Sequence, residues 1–345
     1  MTRERLSAIL DRFAALRIVV IGDFFLDKYL DLDAALTETS LETGLDAYQV
    51  VRVRPYPGAA GTVVSNLAAL GVGTISAVGA IGDDGEGYEL RRALADLGVR
   101  IDYLITRADR FTPTYAKPIL IEGDRPAREL HRLDTKNRPP TPADLEAALI
   151  DHLTSAVADA DAVIVMDQVE EAGCGVITPR VREALQSLGR DCHDLLVFAD
   201  SRCRIGEFRD VTIKVNRAEA LAAAGTDDLD RAVRVLAARA GRPVFVTLGA
   251  DGVLICDAET SVQVPGFRVE ADIDIVGAGD AASAGLAASL AAGASPVEAA
   301  LVANIVASIT IQQLGVTGTA SPEQVLARFP VSPYAERARQ ALEGP

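Results

Sequence analysis

Short apolar runs recur along this chain, and longer segments with helical periodicity separate them. This alternation predicts strands joined by helical crossovers, because a parallel neighbouring strand can be reached only through a long connection. We therefore expect a three-layer α/β/α fold, in which helices cover both faces of a mainly parallel central sheet. The runs that we predict as its strands are 17–23, 74–82, 160–167, 194–200, 210–216 and 242–249.

Two segments, 29–57 and 101–135, contain alternating patterns without intervening helices. We predict that they form short antiparallel strands outside the main sheet, as a small β lid rather than a second domain. The 345 residues are therefore expected to form a single domain, 1–345, with the lid segments inserted. Because such a lid has no apolar cover of its own, we also expect a homodimer formed through the lid.

The charge balance narrows the class of partner. A net charge of −15 repels nucleic acid and anionic membranes, so a small molecule is the expected ligand. Residues 2–16 have an amphipathic helical pattern without the apolar core of a signal peptide, and no apolar run reaches the ~18 residues of a membrane span. The four cysteines show no metal-binding spacing. We therefore expect a cytoplasmic protein.

The turn formed by Gly277, Ala278, Gly279 and Asp280 is the strongest functional signal. A strand predicted over 267–273 leads into it, and a helical pattern follows at once. Two glycines permit a tight turn, and the start of a helix supplies free N–H groups and a positive dipole end, which together favour an anion. A carboxylate beside that anion site can take the proton from a hydroxyl group that attacks a phosphoryl group.

Other interpretations of this turn stay open at this level. Asp280 is also the kind of acidic residue that the first turn of any helix favours. The sequence GAGDAA fits the dinucleotide-binding fingerprint, but the following segment, 296–314, predicts a helix where that fold needs a strand with an acidic residue. The phosphate-binding pattern GxxxxGK[ST] is absent from the sequence.

Four segments carry a family resemblance: VVIGDFFLDKYL at 19–30, NRAE at 216–219, VTLGADGVL at 246–254 and the GAGD turn. In this order the chain resembles the ribokinase-like (PfkB) carbohydrate kinases over roughly residues 17–330. The opening, the RLD at 132–134 and the segment 303–322 are similar to the heptose-phosphate kinase branch of lipopolysaccharide precursor synthesis. The resemblance implies transfer of the γ-phosphoryl group of ATP to a hydroxyl of a sugar or sugar phosphate, with Mg²⁺ and, in many members, K⁺.

On the acceptor side, the resemblance implies that the carboxylate of Asp27 binds vicinal hydroxyls of the sugar. Asp23 either assists it or orients the end of the strand. Gly58 and Thr62 match the positions that line the sugar pocket. Asp280 matches the catalytic base, and the backbone of its turn matches the anion hole.

On the nucleotide side, Asn216 and Glu219 match an element that holds Mg²⁺ through waters. Asp274 matches the start of a loop that holds a monovalent cation in many members. The residues that match the turn along the nucleotide phosphates and the border of the adenine are Thr247, Gly249, Gly252 and Asn304. Ordinary turns, helix-start acids and a helix-internal Asn remain open as interpretations of these positions.

The chain departs from the family pattern around the acceptor. Ala59 and Thr62 replace a Gly and an Asn, and Val276 replaces the Thr before the GAGD turn. Where the heptose branch has a Lys soon after Asp167, this chain has the acidic sequence QVEE at 168–171. A phosphorylated acceptor needs cations, and the candidates are Lys117, Arg128, Arg132, Arg202 and Arg204.

Two alternatives to a sugar kinase follow from these departures. A nucleoside kinase or a kinase of another alcohol would account for the altered acceptor positions. A nucleotide- or ligand-binding protein with little turnover would account for them as well, but it would not need Asp280, the glycine turn and the NxxE element together.

Overall fold

The computed structural model describes residues 1–257 and 259–329. Within them the chain forms the strands β1 (Arg17–Gly22), β2 (Phe24–Thr39), β3 (Asp46–Ala59), β4 (Thr74–Gly82), β5 (Leu104–Arg107), β6 (Thr114–Ile121), β7 (Arg128–Glu129), β8 (Leu133–Thr135), β9 (Ala162–Asp167), β10 (Leu196–Ser201), β11 (Thr212–Asn216), β12 (Val244–Thr247), β13 (Val253–Cys256) and β14 (Ser261–Val264).

The α-helices of the same residues are α1 (Arg3–Asp11), α2 (Ala60–Ala69), α3 (Gly85–Asp96), α4 (Ala143–Ala156), α5 (Pro179–Asp191), α6 (Arg217–Ala224), α7 (Leu229–Ala240), α8 (Ala278–Ala291), α9 (Pro296–Thr310) and α10 (Pro322–Arg328). The longest of them, α9, has 15 residues, whereas a helix needs ~20 to cross a bilayer. None of the described helices is long and apolar enough to span a membrane.

The main sheet has nine strands in the order β14-β13-β12-β11-β10-β9-β1-β4-β5. Neighbouring strands from β12 through β5 are parallel, and β13 and β14 are antiparallel at one edge. Each run that we predicted as a strand contains a strand of this sheet. The predicted α/β fold with a mainly parallel sheet is therefore confirmed.

The side chains of β9 show how the two cores form. Every residue of this strand is buried. Ala162, Ile164 and Met166 pack into an apolar cluster with residues of α1, α2, α8 and α9, whereas Val163 and Val165 pack into a second cluster with residues of α4, α5 and α7. Both faces of the sheet are thus covered by helices, as a parallel sheet requires.

A second, smaller sheet forms the lid. Its strands lie in the order β3-β2-β6-β7, and β8 pairs with β6. β2 begins at Phe24, and Asp23 alone separates it from the end of β1. The lid therefore starts at the carboxyl edge of the main sheet, which is the edge where open α/β sheets bind their ligands.

The lid strands differ from our prediction. β2 and β3 are long, with 16 and 14 residues, and β2 pairs with β6 in parallel rather than antiparallel orientation. β5, which lies in the predicted lid segment 101–135, belongs to the main sheet beside β4. Parallel pairing is possible because α2, β4, α3 and β5 separate β2 from β6, so that no hairpin joins them.

The strand predicted over 267–273 is also wrong. This segment has no regular secondary structure, and its residues 270–273 are exposed or half-buried. Pro265, which follows β14, has no N–H group to continue a sheet ladder, and the chain leaves the sheet there. The helices predicted directly after the GAGD turn and over 296–314 are present as α8 and α9.

Candidate active site

The first turn of α8 has free N–H groups. Gly277 is the N-cap and has a φ of 77°, and a Cβ at this position would lie 2.5 Å from Cγ2 of Thr317. Glycine is therefore required here for both its conformation and its size. The N–H of Ala278 donates to the carbonyl of Ile275 at 3.1 Å, whereas the N–H groups of Gly279 and Asp280 have no partner among the described residues. The latter two groups can bind an anion.

Asp280 lies in the same turn, where it is half-buried and has charged neighbours of both signs. Burial raises the pKa of its carboxyl group to about 7, and the nearby carboxylate of Asp200 acts in the same direction. The cations of Lys214 and Arg202 oppose this rise. Asp27 also raises the pKa of Asp280, which places the predicted acceptor carboxylate close to the predicted base.

A buried ion pair lies beneath the turn. Oδ2 of Asp200, at the end of β10, accepts from Nζ of Lys214 on β11 at 2.7 Å and from Oγ of Ser283 on α8 at 2.8 Å. A Cβ on Gly279 would lie 3.3 Å from the same ammonium, so Lys214 contacts the turn itself. The pair therefore connects two strands of the sheet to the start of α8.

Sequence reasoning missed both residues of this ion pair, although each carries a signal. Lys214 is a charged residue within a strand whose neighbours are buried and apolar, a position that lysine seldom takes without a partner. Asp200 stands near the carboxyl end of its strand, where ligands bind in this type of sheet. Their pairing is visible only when β10 and β11 are known to be neighbours.

Asn216 and Glu219 form a reciprocal cap at the start of α6. The N–H of Glu219 donates to Oδ1 of Asn216 at 2.9 Å, and the N–H of Asn216 donates to Oε2 of Glu219 at 2.8 Å. Burial raises the pKa of Glu219, and Asp200 contributes, while Lys214 and Arg202 lower it. Glu219 therefore shares its charged neighbours with Asp280. It caps α6 and also lies beside the candidate site.

The turn between β12 and β13 lies beside this cluster. Its glycines, Gly249 and Gly252, have φ angles of 61° and 90°. Oγ1 of Thr247 donates to a main-chain carbonyl of β11 at 3.3 Å. Asn304 on α9 donates through Nδ2 to the carbonyl of Val264 at 3.1 Å and to the next carbonyl at 3.0 Å. Both donors of Asn304 thus hold the end of β14, and its role beside an adenine stays a prediction.

Asp274 joins two loops. Its Oδ1 accepts from the N–H of Val276 at 3.0 Å, and its Oδ2 accepts from the N–H of Gly315 at 3.3 Å. Within residues 1–257 and 259–329, there is no group of three or more His, Cys, Asp or Glu side chains arranged to hold a metal ion. The monovalent-cation role of Asp274 stays a prediction.

Asp27 forms a buried ion pair with a lid residue. Its Oδ1 lies 3.0 Å from Nζ of Lys117 on β6, and Lys117 is only 8% exposed. The ammonium also donates to the hydroxyl of Tyr29 at 3.3 Å and lies 4.8 Å from the centre of that ring. A Cβ on Gly58 would lie 2.9 Å from Oδ2 of Asp27, so glycine leaves room for this carboxylate.

Asp23 orients a loop rather than facing open space. Its Oδ2 accepts from the N–H groups of Gln168 and Val169 at 2.9 and 3.0 Å, and its Oδ1 accepts from Val176 at 2.7 Å. Burial, together with the carboxylate of Asp167, raises the pKa of Asp23 to about 6 despite these donors. Of the two roles that the sequence left open for Asp23, the contacts favour orientation of the strand end and the loop.

The start of α2 links the acceptor region to the anion site. A Cβ on Gly277 would lie 3.5 Å from Cγ2 of the buried Thr62, so these two positions are in contact. Ala59, the N-cap of α2, has φ 53° and ψ −115°, a conformation that glycine adopts far more easily. Ala59 therefore holds a strained backbone conformation next to the candidate acceptor region.

Most of the candidate cations already have partners. Arg132 donates to Asp134 at 2.6 Å and stacks 4.1 Å from the centre of the Tyr115 ring. Arg204 donates to the buried carboxylate of Asp167 at 3.1 Å. Lys117 pairs with Asp27, and Arg128 is exposed on β7 of the lid. The fifth candidate, Arg202, lies near enough to Asp280 to lower its pKa.

The profile of the pfkB family of carbohydrate kinases matches residues 16–324. The chain belongs to the pfkB family of carbohydrate kinases. It is 30% identical over 338 residues to the "Bifunctional protein HldE" of Citrifermentans bemidjiense, an alignment that covers 95% of this chain and 66% of that relative. The chain thus spans slightly less than two thirds of the length of this relative.

Solved structures share the fold of this chain. A putative sugar kinase from Clostridium perfringens superposes with a TM-score of 0.69 at 19% identity, covering 91% of this chain and 95% of that one. Arabidopsis thaliana ribokinase complexed with ribose and ATP superposes with a TM-score of 0.63 at 19% identity, covering 90% and 98%. The ribokinase-like fold predicted from the sequence is confirmed. Membership of the pfkB family implies that the chain uses ATP.

The Asp27–Lys117 pair yields a test of this structure. Lys117→Met keeps the length of the side chain but leaves the buried carboxylate of Asp27 without its partner, so the free energy of unfolding should fall by about 3 kcal/mol. Asp27→Asn combined with Lys117→Met removes both charges and should be less destabilised than Lys117→Met alone. Urea denaturation of the purified variants measures both effects.

The matched control is Lys136→Met. Its ammonium lies 3.9 Å from Glu171 in a partly exposed pair, so its removal should change the free energy of unfolding by less than about 1 kcal/mol. Equal stabilities of Lys117→Met and the unmodified protein would show that the Asp27–Lys117 pair is not formed.

Proposed function

We propose that this pfkB-family kinase transfers the γ-phosphoryl group of ATP to a hydroxyl of a sugar or sugar phosphate, with Asp280 as the general base. The observation that carries the proposal is the first turn of α8. It presents two free N–H groups and a half-buried carboxyl group, and desolvation raises the pKa of that group to about 7. A base with a pKa near the working pH combines a large deprotonated fraction with strong proton affinity.

Each part of the turn has a separate task in this reaction. Asp280 accepts the proton of the acceptor hydroxyl as that oxygen attacks. The N–H groups of Gly279 and Asp280 donate to the charge that develops on the transferred group. The ammonium of Lys214, fixed by Asp200 beneath Gly279, adds positive charge at the same place. Asp27 binds hydroxyls of the acceptor, and the lid excludes water, which would otherwise compete as an acceptor.

The described residues fit Mg²⁺ at Glu219. Mg²⁺ retains several waters and is held by few carboxylates, so a cluster of three protein ligands is not required. Glu219 is a partly buried carboxylate whose Oε1 has no described partner, and burial raises its pKa, so a nearby cation would compensate its charge. When bound, the ion neutralises the charge that builds up on the transferred phosphoryl group.

We also propose that two copies of the chain associate through their lids. Large apolar side chains of the lid sheet are exposed in a single chain, in contrast to the buried main sheet. They include Tyr48, Val50, Val53 and Leu133, which are 43%, 48%, 45% and 65% exposed. An exposed apolar sheet face of this kind marks a protein contact surface.

Asp280→Asn should keep the fold and ATP binding but reduce turnover by roughly 10²- to 10⁴-fold, because the amide cannot accept the proton. ADP release with a panel of free and phosphorylated sugars and nucleosides measures it, and Asp272→Asn, in the exposed loop before the turn, is the matched control. Near-normal phosphorylation by Asp280→Asn would refute the assignment of the base.

The pH dependence of kcat/KM should show the titration of Asp280. Activity should fall as the pH drops below about 7, because the proton then occupies Asp280. Asp200→Asn removes a negative neighbour and leaves Lys214 without its counter-charge. Both changes lower the pKa of Asp280, so the acid limb of the profile should move to lower pH.

Glu219→Gln should raise the Mg²⁺ concentration for half-maximal rate by roughly 10- to 100-fold. Glutamine can still accept the capping hydrogen bond from Asn216, so the helix start is kept and only the charge is lost. Glu298→Gln, which alters the capping box of α9, is the control. An unchanged Mg²⁺ titration would show that Glu219 is a capping residue alone.

Sedimentation velocity tests the association of lids. The unmodified chain should sediment as a dimer, and Leu133→Glu should shift it to a monomer because two carboxylates would then be buried in the contact. Leu97→Glu, at an exposed position at the end of α3, should not do so. A monomeric unmodified chain at micromolar concentration would contradict the proposal.

A further inference from the structure

We propose that the acceptor site selects an unphosphorylated polyhydroxy compound, because the carboxylates of Glu170 and Glu171 pair with the cations that a phosphate would need. The inference rests on the proposed function and concerns the substrate class of the same site.

A cleft next to the predicted acceptor carboxylate is the relevant region. It is lined by Phe25 and Tyr115 of the lid strands and by the loop that follows β9, and it extends to Arg202. Tyr115 lies opposite Asp27 in the pairing of β2 with β6, and Arg202 is near Asp280. The lining of the cleft includes neither Asp27 nor Asp280, so the part of an acceptor beyond its reacting hydroxyl would lie at the mouth of this cleft.

Three cations beside the loop, Lys136, Arg138 and Arg202, are paired with its two carboxylates. Glu171 lies 3.3 Å from the guanidinium of Arg138 and 3.9 Å from the ammonium of Lys136. Glu170 lies 3.8 Å from the guanidinium of Arg202, whose side chain is 51% exposed. A phosphate group of an acceptor would have to displace these carboxylates while carrying a charge of about −1.5 to −2 itself.

The remaining cations near the loop hold its main chain. Arg110 donates to the carbonyl of Pro139 at 2.8 Å and to that of Cys174 at 2.5 Å. Arg204 donates to Asp167 and, at 3.1 Å, to the carbonyl of Glu170. Because these guanidinium groups fix the shape of the loop, they cannot turn toward a ligand without disrupting it.

A neutral sugar avoids this conflict. Its hydroxyl groups carry no charge, so they can accept from Arg202 while the ion pairs of Glu170 and Glu171 stay formed. The rings of Phe25 and Tyr115 pack edge to face with their centres 5.2 Å apart and provide an apolar wall for the carbon side of a sugar ring. The cleft thus suits hydroxyl groups better than a dianion.

Matched pairs of acceptors test this selectivity. Ribose with ribose 5-phosphate, fructose with fructose 6-phosphate, and a heptose with its 7-phosphate are compared in an ADP-release assay. They are also titrated by calorimetry in the presence of a non-hydrolysable ATP analogue. We expect the unphosphorylated member of the accepted pair to have a kcat/KM at least about tenfold higher, and a correspondingly lower Kd. Preference for the phosphorylated member would overturn the inference.

The double variant Glu170→Gln with Glu171→Gln tests the cause. Freed of their carboxylates, the cations should improve kcat/KM for the phosphorylated member by about three- to tenfold and change the free member little. This gain should shrink at high ionic strength, because exposed charges are screened. An unchanged ratio between the two members would overturn the inference.

The control removes two charges elsewhere, with Asp96→Asn on α3 and Glu183→Gln on α5, both exposed positions. It should leave the ratio as it is in the unmodified chain. If no compound is phosphorylated at all, the proposed function fails, while the calorimetric ratio still decides the selectivity of the site.

Discussion

The ion pair between Asp200 and Lys214 is the interaction on which the geometry of the candidate site depends. Two charges are buried at the carboxyl edge of the sheet, and each is uncompensated without the other. Because Ser283 of α8 donates to the same carboxylate, the pair fixes the start of that helix relative to β10 and β11. The position of Asp280 follows from this arrangement, whereas its raised pKa comes first from desolvation and then from Asp200.

Much of the fold is encoded locally, and that part could be predicted. The buried strands and the helices between them have their own periodicity, and the two glycines of the GAGD turn mark it in the sequence. The orientation of β2 relative to β6 could not be predicted, because alternation is the same in parallel and antiparallel strands. The segment 267–273 shows the converse: alternation alone does not make a strand, because the chain has already left the sheet at Pro265.

The candidate site also has one part that could be predicted from the sequence and one part that could not. Asp280, Gly277, Asn216 and Glu219 were identified from short motifs, and the structure brings them around one cluster of charges. The partners of the charged residues come from distant parts of the chain and left no local pattern. Lys117, a candidate for binding a phosphate, is instead paired with Asp27. Whether a charged side chain is available to a ligand depends on such pairing, which sequence order does not reveal.

The connection between the two sheets has a mechanical consequence. A single residue, Asp23, separates β1 from β2, and three main-chain N–H groups hold its carboxylate. At the other end of the lid, residues 41–45 are exposed. The lid is therefore fixed at one end, and its displacement should grow with distance from Asp23. We therefore expect bending to be largest at residues 41–45 and smallest near Asp27, so that this candidate acceptor carboxylate stays close to Asp280 when the lid moves.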